Sequence, residues 1–150
     1  MSDTRRVYEA ENTLMFMLDH GGTAQFMGSS LTLPMERRFG DLDGVRRYLL
    51  EVRQRSWGFP DTPDPVVRLR RGQTKAHWAD GVIALPDGVG QKGWAMREVV
   101  VLHEYAHHVA WHVHGATGHG QTFQQVYLEL LENAVGPEAA FVVRAGLLAG

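Results

Sequence analysis

The chain has 150 residues, 44 % of them hydrophobic, with a net charge of −2 and no cysteine. That length supports one core and is short for two, so a single domain over residues 1–150 is expected. The near balance of charge lacks the polyelectrolyte signature of a nucleic-acid or anionic-membrane binder, and the missing thiols exclude disulfides, cysteine nucleophiles and thiolate metal ligands.

Any metal must therefore be held by imidazole and carboxylate. The opening stretch MSDTRRVYEAENT is too charged for a signal peptide. No apolar run approaches the roughly 18 residues that cross a bilayer, so a soluble, cytoplasmic protein without a membrane partner is expected.

In chain order, Ser2 or Asp3 caps a first helix whose apolar residues Val7, Ala10, Leu14, Met17 and Leu18 recur at helical spacing until Gly21 and Gly22. Two short apolar runs, Ala24 to Met27 and Leu31 to Leu33, read as one or two strands around Gly28. Asp41 to Arg55 is predicted as a second helix with Val45, Tyr48, Leu49 and Val52 facing inward. Between Arg37 and Lys75, ten Lys or Arg stand against five Asp or Glu, a candidate binding face or a solvated surface. After a proline-rich loop, Val66 to Arg70 reads as a strand and Lys75 to Leu85 as a hairpin turning on Asp80 and Gly81.

A mostly buried helix is predicted from about Trp94 to His112, then one from about Thr122 to Ala134 opened by a capping box of Thr122 and Gln125. A last helix begins at Pro137. Tyr105 and Tyr127 read as core, and His108, His112 and His114 as solvent-facing or supporting imidazoles.

The chemistry concentrates in HEYAH, residues 103–107, and HGQTF, residues 119–123. Helical residues four apart differ by about 40° in azimuth and about 6 Å along the axis, so His103 and His107 can reach one ion. Glu104 lies about 100° further round, beside that ion, where a carboxylate serves as general base. Catalytic zinc takes three protein ligands and leaves one position open, so a third ligand is required.

His112 and His108 fall about 180° and about 140° away from His103, and His114 is too far along the axis unless the helix ends early. His119 follows Gly115 and Gly118, which can end a helix and turn the chain back. Ala110 and Val113 occupy the positions where the metzincin pattern needs glycine and histidine. Glu129 and Glu132, the candidates for a glutamate ligand, fall on the polar side of their helix. His103, His107 and His119 are thus the expected ligands, with zinc favoured by ligand type.

HEYAH followed by HGQTF resembles the HExxH and HGxxF signature of SprT-like and Spartan-type zincins and of small bacterial zincin-like metallohydrolases. The resemblance implies an α+β zincin-like fold: a small mixed or antiparallel sheet, a central HExxH helix and about five helices in all. It also implies one zinc ion on His103, His107 and His119, Glu104 as base and peptide-bond hydrolysis. It further suggests that part of Lys75 to Leu85 is an edge strand that pairs with an extended peptide or protein substrate, which makes His77 a candidate oxyanion donor. The alternative is a non-catalytic zincin-derived module that holds a protein or nucleic-acid-associated partner through the Arg37 to Lys75 surface.

Overall fold

The computed structural model describes residues 2–71, 75–86 and 94–149, and these form an α+β fold of five helices and two small sheets. Helix α1, Asp3–His20, is capped by the Ser2 hydroxyl, which accepts from the Arg5 backbone N–H. Strands β1, Thr23–Phe26, and β2, Ser29–Thr32, follow as an antiparallel hairpin. Its turn residues Met27 and Gly28 both have positive φ, 48° and 80°, which matches the twist of the strands they join. Helix α2, Leu42–Gln54, starts at Asp41, whose carboxylate accepts from the Gly44 N–H, and buries Val45, Tyr48, Leu49 and Val52 as the periodicity predicts.

Three strands form the second sheet: β3, Val66–Arg70, β4, His77–Ala79, and β5, Val82–Pro86. The order is β3-β5-β4, with β3 parallel and β4 antiparallel to β5, so the sheet is mixed and, among the described residues, β4 is an edge strand. Ile83, Ala84 and Leu85 of the middle strand are fully buried.

Helix α3, Glu98–His114, is the central element and buries residues on all its faces. It begins four residues later than the sequence predicts. Arg97 is held in extended backbone by a bridge to Arg38, with Phe39 N–H bonded to the Met96 carbonyl and Glu98 N–H to that of Arg37. Helices α4, Gln121–Ala134, and α5, Pro137–Ala149, complete the chain. The predicted capping box of Thr122 and Gln125 does not form: the N-cap is Gly120, and the Gln124 amide donates to the His119 carbonyl.

Helix α3 packs on α4, and α1 packs on α5. At that second contact, a Cβ built on Gly146 would stand 2.7 Å from the Ala10 Cβ, so only glycine permits the approach. Among the described residues, no helix is long and apolar enough to cross a membrane. Within the arginine-rich span, Arg37 pairs with Glu51, Arg38 with Asp19, Arg46 with Asp43 and Arg53 with Asp64, which neutralises much of its charge locally.

Candidate metal centre

The imidazoles of HEYAH leave α3 on one face, as the spacing of four requires. Gly115 then ends the helix in the left-handed conformation at φ 65°, and Gly118 at φ 75° turns the chain back. The turn returns His119 to the helix face, so that the Nε2 atom of His119 lies 3.1 Å from that of His103 and 3.2 Å from that of His107. The candidate donor atoms of the three residues all lie within 4.8 Å of one another.

These separations test the fit of a cation. Three nitrogens bound tetrahedrally at the usual zinc distance stand about 3.3 Å apart, because the tetrahedral edge is about 1.6 times the bond length. The two observed edges agree with that value, so the three histidines can hold a metal ion.

Phe123, the aromatic of HGQTF, forms the floor of the cluster. Its buried ring lies 4.3 Å from the ring of His107, 4.9 Å from His119 and 5.0 Å from His103. Burial is the first cause that lowers the pKa of His107 to about 3 and that of His119 to about 4, and the charge of His103 adds to both. Neutral imidazole is the form that ligates. For His103, burial also opposes charge, but the charge of Glu11 and the hydrogen bond to it outweigh burial and raise the pKa.

Glu11 is the functional residue that the sequence reading misses. It is 3 % exposed, and the Nδ1–H of His103 donates to its Oε2 at 2.6 Å. This bond fixes the tautomer that leaves Nε2 free for a metal. About two turns earlier on α1, Thr4 Oγ1 lies 3.1 Å from Nδ1 of His119 and serves that ring in the same way. The available signal is a carboxylate inside the apolar stripe of Val7, Ala10 and Leu14.

Glu104 is 4 % exposed and stands beside the cluster as its azimuth predicts. Burial, with the charge of Glu11 in support and that of His103 opposed, pushes its carboxyl up to about 7. Two cavities meet at Glu104. One, of about 390 Å³, is lined by His77, Trp78 and Asp80 of the β4 segment together with His107 and His119. The other, of about 440 Å³, is lined by Met15, Trp94 and Val100. Tyr8, Ala76 and Glu104 line both.

Strand β4 forms one wall of this cleft. The Trp78 Nε1–H donates to His108 Nδ1 at 3.1 Å, and the His108 Nε2–H donates to the Pro63 carbonyl at 2.6 Å. His108 is 1 % exposed, so it is a buried strut between edge strand and helix, whereas His112 and His114 are exposed as expected. Neither of these three joins the metal cluster among the described residues. Tyr105 and Tyr127 are buried core residues, and their hydroxyls donate to the carbonyls of Gly58 and Val99.

No curated protein and no solved structure matches the chain. The SprT-like family matches residues 66–140, which is half of the sequence and takes in the three histidines, Glu104 and β3 to β5. With a three-histidine cluster that can hold a metal on an HExxH helix inside the matched segment, the chain belongs to the SprT-like family, whose association is with zincin-type, metal-dependent hydrolysis.

Proposed function

We propose that this protein is a zinc-dependent peptidase, a single domain in which His103, His107 and His119 hold the ion and Glu104 is the general base. The observation that carries this reading is the pair of 3.1 Å and 3.2 Å edges of the histidine cluster, with the Glu104 carboxylate beside it at the junction of two cavities. A bound zinc ion would polarise a carbonyl and lower the pKa of a water toward about 7.

The chain's own residues supply the rest. Strand β4, an edge among the described residues, offers its outer backbone groups to an extended peptide, and the cleft beside it brings the scissile bond to Glu104. Glu104, buried and poised near neutrality, takes a proton from the attacking water. As the carbon–nitrogen bond breaks, it returns that proton to the leaving amine. Phe123 and the buried face of α3 keep bulk water off the ligand side of the cluster.

Peptide-library profiling with matched metal analysis tests this. Glu104→Gln is expected to keep one zinc per chain and lose turnover by at least about 1000-fold, while His119→Ala loses the zinc itself. Undiminished cleavage by Glu104→Gln, or stoichiometric zinc in His119→Ala, refutes the assignment.

A further inference from the structure

Helix α1 lies outside the family-matched segment, yet it lays one face against the metal centre. Thr4, Tyr8 and Glu11 follow each other at spacings of four and three, so they share that face. The outer two are engaged on His119 and His103. Tyr8 stands between them with its ring stacked on His103 at 5.1 Å and tilted against His119 at 5.4 Å. It is 41 % exposed, packs its ring on two of the ligands and lines both cavities.

Among the described residues, only two polar side chains line both cavities, Glu104 and Tyr8. The scissile bond must lie where the cavities meet, because its two flanking peptide segments extend in opposite directions. Among the described residues, the polar side chains at that junction are one acceptor, Glu104, and one donor, the Tyr8 hydroxyl. Lys75 and Asn12 line only the cavity beside Met15, and His77 and Asp80 only the one beside β4.

We infer that Tyr8 is a catalytic residue whose hydroxyl donates a hydrogen bond to the substrate carbonyl oxygen as negative charge develops on it. This rests on the proposed hydrolysis and assigns the oxyanion donor to α1 in place of His77. The water oxygen bonds to the carbonyl carbon, its proton passes to Glu104, and the carbonyl π pair moves to the oxygen, which accepts from Tyr8. Tyr8 keeps its proton throughout. The carbon–nitrogen bond then breaks as Glu104 protonates the nitrogen.

The test compares wild type, Tyr8→Phe and His77→Gln, each zinc-loaded, on a peptide the wild type cleaves. Tyr8→Phe is expected to lower kcat by about 100-fold to 1000-fold, with KM changed less than about threefold and zinc content unchanged. Its affinity for a peptide phosphonamidate, whose phosphoryl oxygens stand in for the oxyanion, is expected to fall by a similar factor. Peptide affinity measured in the Glu104→Gln background stays level when Tyr8→Phe is added. A kcat within about threefold of wild type overturns the inference, as does equal loss of peptide and phosphonamidate binding, which would mark a structural role. A kcat loss in His77→Gln with none in Tyr8→Phe moves the donor to β4. A wild type that cleaves no peptide and binds no phosphonamidate brings down the hydrolase reading and this inference together, whereas cleavage insensitive to Tyr8→Phe brings down this one alone.

Discussion

Glu98 and Glu104 lie on the same helix, are almost equally buried, at 3 % and 4 % exposure, and both have a pKa raised by burial, but their hydrogen-bond partners differ. Glu98 accepts from the Tyr48 hydroxyl at 2.5 Å and from the Arg37 N–H at 2.7 Å. Beside it, Glu36 and Asp19 grip Arg97, and Glu36 also accepts from the Val99 N–H, which satisfies one of the free donors at the helix start. Glu104 receives no such donor among the described residues and has two like-charged or titrating neighbours, Glu11 and His103. One end of α3 is built to hold the helix in place; its middle keeps a buried carboxylate that, among the described residues, has no hydrogen-bond donor, at a cost in stability.

The sharpest way to break this contrast is to remove Glu36, whose side chain is 3 % exposed against an Arg97 that is 6 % exposed. Among the described residues, Glu36→Ala leaves a buried guanidinium with only Asp19 as carboxylate partner, and urea unfolding is expected to show a loss of about 3 to 5 kcal/mol. A loss below about 1 kcal/mol would mean that the helix start is held by packing alone.

The opposite sign is expected at Glu104. Its folded pKa is raised, so the folded state holds the proton more tightly than the unfolded chain does. That contribution is present at acid pH and is lost as the pH rises through about 7. In chelator-treated protein at pH 8, Glu104→Gln is therefore expected to be more stable than wild type by about 3 kcal/mol, with the gap closing as the pH falls toward about 4.5. A pH-independent difference between the two unfolding curves would contradict this. The smallest effect belongs to Glu11→Gln, which keeps the shape of the pair and removes its charge. Chelator competition is expected to show zinc affinity weakened by about 10-fold to 100-fold. Unchanged affinity would reduce the Glu11 contact with His103 to packing.

Local features of the fold could be read from the sequence because they rest on local rules. The Ser2 cap, the helical stripe of Val7, Ala10 and Leu14, and the Asp80–Gly81 turn all depend on residues a few positions apart. His103, Glu104 and His107 belong to the same class, and His119 was reachable because Gly115 and Gly118 announce a reversal. Pairings between distant segments were not legible. Nothing near Glu11 indicates that its partner is 92 residues away, and nothing near His108 shows that Trp78 and Pro63 close around it. The late start of α3 has the same origin, since the Arg38 bridge is made by a segment far upstream of Arg97.

The close approach of Gly146 to Ala10 carries a consequence for the histidine cluster. Helix α5 is the surface on which α1 rests, and α1 carries the groups that steady two of the three imidazoles. The placement of those imidazoles therefore depends on the docking of α1 on α5 as well as on α3 and the turn that follows it.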